Sequence, residues 1–405
     1  METRKLMTDR LFAYQRDPRQ RELAVEVLAT GEEAGRPWVR LSDTVLYPEG
    51  GGQPADRGHL GEAAVEDVQR SDGGIVHFLA APVPLGPATL RLDWGRRFDH
   101  MQQHTAQHLL SALAADRFGW ETTSLHLGEA TCDVELGAAA LPQERLTELE
   151  EAIAAEVRAA RPVTTRWVAP EALAGLAVRS RGLPAGHTGD VRLVEIAGLD
   201  LNTCGGTHLD STAEIECVKL LGSEPMRGGS RLYWVAGGRV RARLAAHEAR
   251  AEALRKTLEA GDDELAAVAA AKLAQLHESE RGRRRLLERL ADAEAAGVLA
   301  AAPERGVVEA HFDDADGAFL QRVASAYSAA PGSGVALLTA ASGGGALFAL
   351  AAQTGAAVDL KALGARIAAA LGGRGGGSGR IFQGKAGSLD GRAAALDELR
   401  SAVGG

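Results

Sequence analysis

Two short motifs carry the clearest chemistry of this 405-residue chain. His104-Thr105-Ala106-Gln107-His108 and Cys204-Gly205-Gly206-Thr207-His208 each space two metal-ligating side chains four residues apart. On a helix, residues i and i+4 share one face, so His104 and His108 can present two imidazoles to a single point. Cys204 and His208 would add a thiolate and a third imidazole from a glycine turn about a hundred residues later. One sulfur and three nitrogens match the donor number and softness that tetrahedral Zn²⁺ favours. Gly205 and Gly206 would let the backbone bend sharply enough to aim both side chains inward. Either pair alone is common by chance; the two together, with no competing cysteine cluster, point to zinc. Four protein ligands also describe a closed structural site, so the donor set alone leaves open whether the metal acts or only holds the fold.

The elements that must position these residues are legible around them. Asp99 precedes a strongly periodic stretch, HMQQHTAQHLLSALAADRF, that ends at Gly119, predicting a helix of about five turns. Residues 1–95 read as β-rich, with LAVEVLAT and PWVRLSDTVLY separated by Gly, Pro and charged turns. A glycine run, Gly50-Gly51-Gly52-Gln53-Pro54, follows directly. Such a run is either a tight turn of a barrel or a backbone surface that approaches a ligand oxygen. Residues 120–220 alternate strands with one amphipathic helix near 142–160, so the class is α+β. From about Gly238 the composition shifts to Ala, Leu, Glu and Arg, and leucines recur between charges to about residue 296. Gly261-Asp262-Asp263 interrupts that pattern, predicting two long helices as a coiled-coil-like hairpin. From Gly306 short β-like runs alternate with helical ones, as in a small α/β domain with a glycine-rich loop at 372–379.

Composition narrows the function class. Hydrophobic residues make up 45% and charged residues 24%, ordinary globular values that supply several cores. No apolar run approaches the ~18–20 residues that span a bilayer. The charged N-terminal stretch lacks a secretory signal, so a cytoplasmic address is expected. Three cysteines, Cys132, Cys204 and Cys217, make a disulfide framework improbable. A net charge of −9 argues against a general nucleic-acid binder but not against a local basic surface. Residues 371–405 carry five Arg/Lys against three acids, the opposite sign to the chain as a whole.

Three strings, RFDHMQQHTAQHLLSA, LYPEGGGQPADRG and DLNTCGGTHLDSTAEIECVKLL, closely resemble the AlaX family, stand-alone relatives of the editing half of alanyl-tRNA synthetase. The likeness runs from about residue 8 to 238. The helical hairpin and the following domain with GGRGGGSGR resemble the C-terminal domain shared by alanyl-tRNA synthetases and DHH-type phosphodiesterases, as in the long form of the family. The resemblance implies four parts: a glycine-motif β-barrel domain at 1–95, a zinc-dependent editing domain at 96–238, the hairpin at 239–298, and a tRNA-contacting α/β domain at 299–405.

It also implies roles. The zinc ligands would be His104, His108, Cys204 and His208. Gln53 would be the polar member of the glycine motif nearest the site. Thr122, ahead of Thr123, would recognise a serine hydroxyl, and His126 stands where the synthetases have glutamine. Arg374, Arg380 and Lys385, among glycines, would contact tRNA phosphates. The implied activity is trans-editing: hydrolysis of the ester of mischarged Ser-tRNA(Ala), with Gly-tRNA(Ala) as second substrate. Zinc could acidify a water or hold the substrate, and a substrate hydroxyl could assist, since no protein acid or base stands out. Only about 90 residues of barrel stand where the synthetases have an ATP-binding core, so no tRNA charging is expected. Oligomerisation through the hairpin is a further expectation. The alternatives are a non-catalytic tRNA-binding protein with a structural zinc and a zinc hydrolase of another aminoacyl ester.

Overall fold

The alternation of inward Val25 and Val27 with outward Ala24, Glu26 and Leu28 makes β1 (Glu22–Glu33) a half-buried strand. It is the seam of a closed barrel ordered β1-β2-β5-β4-β3-β6, with β2 (Arg36–Leu41), β3 (Gly58–Leu60), β4 (Ala63–Ser71), β5 (Gly74–Leu79) and β6 (Gly86–Leu92). The expected barrel is therefore present, filled by Val39, Leu46, Leu60, Val68 and Leu90 and plugged at one end by a single turn, α1 (Ala13–Arg16). Burying each such side chain contributes about 1.5–3 kcal/mol. The computed structural model describes residues 11–403 apart from 73, 180–188 and 343–344; the charged N-terminal stretch 1–10 lies outside the described residues.

The long central helix, α2 (Trp94–Phe118), starts earlier than its apolar periodicity predicts. Its cap is Asp93, whose carboxylate accepts the Arg96 N–H, and not Asp99, which lies inside the helix and pairs with Arg239 at 2.7 Å. The upstream turn was hidden because its inward residue is a charge. Arg97 is fully buried and donates to Asp56 Oδ2 (2.9 Å), Pro18 O (2.6 Å) and Val45 O (2.7 Å), fastening α2 to the barrel. Gly119 ends the helix in the left-handed conformation (φ 67°), as predicted.

Two sheets surround α2. One is β11-β10-β9, from β9 (Val163–Val168), β10 (Val191–Ile196) and β11 (Asp200–Thr203). The other is β12-β13-β8-β7, from β7 (Thr122–Leu127), β8 (Cys132–Leu136), β12 (Val218–Met226) and β13 (Gly229–Ala236). The amphipathic α3 (Gln143–Arg158) turns Leu149 and Ile153 into the same core as Leu109, Leu113 and Trp234.

Two compact units divide the chain, 1–253 and 254–405. Between β13 and the C-terminal sheet run α4 (Gly238–Leu258), with no buried residue, and α5 (Leu265–Ala301), broken at the expected glycine-aspartate step. The second unit is built on the sheet β14-β15-β16-β18-β17. Its strands are β14 (Arg305–Asp313), β15 (Ser333–Ser342), β16 (Gly345–Ala352), β17 (Gly373–Ser378) and β18 (Ile381–Ala386). The last turns of α5 and α6 (Gly317–Ala329) cover one face; α7 (Leu360–Ala370) and α8 (Arg392–Val403) cover the other. The stretch read as a glycine-rich loop is the edge strand β17. Added Cβ atoms on Gly373, Gly375 and Gly377 would fall within 2.1–2.6 Å of β18 backbone oxygens, so glycine permits close pairing there.

Candidate active site

A two-residue turn brings the barrel to the metal-ligating cluster. Gly50 and Gln53 exchange backbone hydrogen bonds (3.1 and 3.0 Å) around Gly51 and Gly52, both at positive φ, the geometry of a primed hairpin turn. A Cβ on Gly52 would stand 2.5 Å from the Leu125 side chain. The turn delivers Gln53, fully buried, to His104. Gln53 Oε1 accepts from His104 Nδ1 (2.8 Å) and the Thr207 N–H (3.0 Å), and its Nε2 donates to Thr207 Oγ1 (2.9 Å). The residue expected nearest the site thus has its carboxamide engaged on both metal-ligating motifs.

The four expected ligands meet. One ligand atom from each of His104, His108, Cys204 and His208 lies within 4.8 Å of the others, and Cys204 Sγ is 3.3 Å from both His104 Nε2 and His208 Nε2. Tetrahedron edges of about 3.3–3.7 Å follow from metal bonds of about 2.0–2.3 Å. The Nδ1 of each ring is taken by a neighbour: Gln53 at His104, Thr105 Oγ1 at His208 (3.2 Å) and Asp200 Oδ2 at His108 (3.2 Å). That leaves every Nε2 turned to the common point, the arrangement of outer partners that metal-bound histidines show. The residues present therefore fit a tetrahedral metal ion.

Arg192 clamps the cysteine turn, donating to Cys204 O (3.0 Å) and Gly206 O (2.6 Å). Neither glycine of that turn adopts positive φ; Gly206 is required because a Cβ would sit 2.2 Å from His104 Cε1. Close approach, not the expected sharp bend, explains it.

Burial alone would push the Cys204 thiol up, but His104 and His208 beside it hold it well below its usual value. Burial also disfavours charge on His108, yet Asp200 and Cys204 outweigh it and raise that ring to about 9. Both shifts favour the charged forms of Cys204 and His108, and ligation of a metal by the pair requires the ring to lose its proton.

His104, His108 and Cys204 line a cavity of about 650 Å³ together with Gln107, Ser111, Thr122, Arg70 and Arg179. Thr122 reaches it, its hydroxyl 2.7 Å from Ser111 Oγ, which also accepts from Gln107 Nε2 (2.8 Å). Gln107 Oε1 is buried with no hydrogen-bond partner among the described residues. Thr123 points away to Glu135 O. His126 lies outside the cavity, 69% exposed beside Asp133, because strand alternation turns Leu125 inward and His126 outward. Asp200, Thr105, Arg192, Gln107, Ser111 and Arg70 carried no separate signal in the sequence. In the second unit, Arg374 and Lys385 are exposed cross-strand partners. Arg380, also exposed, donates to Gln353 O and, at 2.5 Å, to Thr354 O.

A small closed barrel joined to an α+β layer, with three imidazoles and a thiolate converging beside a cavity, defines a protein with a candidate metal site. Residues 191–233, which hold Cys204 and His208, match the threonyl and alanyl tRNA synthetase second additional domain. The chain is 36% identical over 365 residues to the alanyl-tRNA editing protein Aarsd1 of Rattus norvegicus, covering 88% of this chain and 86% of that one. With the same protein of Mus musculus it is 35% identical over 415 residues, covering 97% and 98%. The alanine–tRNA ligase of Methanopyrus kandleri is 33% identical over 239 residues, 56% of this chain and 26% of the ligase. The chain belongs to the alanyl-tRNA editing protein family.

Proposed function

We propose that this protein is a trans-editing deacylase that hydrolyses the ester of mischarged Ser-tRNA(Ala), with zinc held by His104, His108, Cys204 and His208. The observation that carries this reading is the convergence of those four residues, three of which line a cavity that also exposes a hydroxyl network. Bound there, zinc supplies Lewis acidity toward the ester's polar groups. Asp200 would orient His108 and raise its basicity as a ligand, while Gln53 and Thr105 fix the other two rings. The Thr122–Ser111–Gln107 network hydrogen-bonds a serine hydroxyl; alanine would leave the buried Gln107 carbonyl unsatisfied. Sites built to bond a hydroxyl reject the analogue lacking it by roughly 10⁴ or more. In the second unit Arg374 and Lys385 contact the tRNA backbone, and the exposed leucines Leu273, Leu276, Leu286 and Leu290 of α5 serve self-association.

The test is deacylation of Ser-, Gly- and Ala-tRNA(Ala) by the wild type and Thr122→Val. The wild type should clear Ser-tRNA first, and the variant should lose roughly tenfold of its preference over Ala-tRNA, the value of one hydrogen bond. Equal rates on the three substrates would remove the serine assignment. Four protein ligands also favour a second reading, a structural zinc in a non-catalytic tRNA binder; it requires zinc-loaded protein that binds tRNA and deacylates none of the three.

A further inference from the structure

The cavity mouth carries a cation that the fold leaves uncompensated. Arg70, at the end of β4 opposite Ile75 of β5, is exposed and lines the cavity beside Tyr47, Gly50 and Gly51. Among the described residues it has no carboxylate partner; its guanidinium donates to the neutral Tyr14 hydroxyl at 2.8 Å. The other arginine of the wall, Arg179, differs in this respect. It makes two 2.7 Å bonds to Asp116 and lies 3.2 Å from Asp200. On a chain of net charge −9, an unneutralised arginine at the entrance is a local reversal of sign.

Arg70 is also held in place. Tyr14 is 2% exposed and meets the Tyr47 ring edge-on at 5.6 Å, and the Tyr47 hydroxyl is bonded to Gly50 O at 2.8 Å. A buried phenol thus fixes the guanidinium next to the glycine turn, where the Gly51 N–H has no backbone partner among the described residues. A fixed planar fork of N–H donors beside a free turn N–H is suited to a phosphate.

We propose that Arg70, positioned by Tyr14 and assisted by the Gly51 N–H, binds the 5′-phosphodiester of the terminal nucleoside of the substrate. This deepens the editing reading and rests on it: with the ester at the cluster, the phosphate one ribose away falls at the mouth. Arg70 is then the contact by which the site prefers an esterified nucleotide to a free aminoacyl ester.

Two paired probes test this. The first compares 3′-O-seryl-adenosine with its 5′-monophosphate as substrates of the wild type, Arg70→Gln and Arg70→Lys. The wild type should favour the phosphate form in kcat/KM by roughly 10- to 100-fold, the value of one or two hydrogen bonds to a charged group. Arg70→Gln should lose that preference, so that its kcat/KM on the two substrates becomes equal, and Arg70→Lys should retain part of it. The second probe reads the contact without chemistry: adenosine 5′-monophosphate should bind more tightly than adenosine in calorimetry, and Arg70→Gln should equalise them. A preference that survives Arg70→Gln, or a loss of the same size on both substrates, overturns the proposal. If the wild type hydrolyses neither ester, the calorimetric preference decides Arg70 by itself, and the editing reading is decided by the Ser-tRNA(Ala) assay.

Discussion

The three imidazoles of the cluster are steadied by three different chemistries, an amide at His104, a hydroxyl at His208 and a carboxylate at His108. The carboxylate matters most for a cation, because it raises the basicity of the ring it orients. Asp200→Asn should therefore lower metal affinity roughly 10- to 100-fold while leaving the fold intact. Competition with a chelator of known affinity reads this directly, and wild-type affinity in the variant would remove Asp200 from the account. The ligands themselves could be found in the sequence because two of them repeat at helical spacing and two flank a glycine pair. Their supports could not. Gln53, Thr105 and Asp200 are single polar residues, and only the fold brings Gln53 and Asp200 across 51 and 92 positions to their histidines. A β-bulge between Thr122 and Ser124 decides that Thr122 faces the cavity while His126, four residues on, does not.

At the scale of elements, α2 is the part whose physics most departs from its pattern. It buries polar and apolar residues alike, His100, Gln102, Gln103, Thr105 and Gln107 among them, because elements pack on it from several sides. An amphipathic stripe could not describe such a helix, and the buried Arg97 concealed its first turn. The barrel hides a similar group. His77 on β5 is 1% exposed, hydrogen-bonded to Thr44 Oγ1 at 2.9 Å, and burial lowers its pKa from the usual 6.5 to about 4. Its folded pKa lies below its unfolded one, so the unfolded chain binds the extra proton. Stability from keeping it neutral is complete above about pH 6.5 and is lost as the pH falls toward about 4. Between pH 7 and 5 the loss is about 2 kcal/mol. His77→Gln keeps a partner for Thr44 and cannot titrate, so urea unfolding at the two pH values should show a correspondingly smaller drop. An identical drop in the variant would place the acid sensitivity elsewhere. The edge strand β17 escaped the sequence for the opposite reason: six residues, four of them glycine, carry no side-chain alternation to read.

For the whole molecule, the α+β class, the N-terminal barrel and the helical stretch before a final domain of strands and helices were legible, the barrel from alternating strands and the helices from their Ala, Leu, Glu and Arg composition. The four-part division of the chain remains our proposal beside the two compact units of the structure. No helix among the described residues is long and apolar enough to cross a membrane. The ligand set joins α2 to the turn before β12, so the metal that completes the chemistry would also tie distant segments of the first unit together. The central claim is that this one cluster holds zinc and that deacylation depends on it. Metal analysis alongside a Ser-tRNA(Ala) deacylation time course in Cys204→Ala, with Cys217→Ala as the control outside the cluster, tests it most directly. The account predicts about one zinc per chain and full activity in the wild type and the control, and loss of both in Cys204→Ala, which removes the cluster's thiolate from three neutral imidazoles. Full zinc content and undiminished deacylation in Cys204→Ala would contradict it.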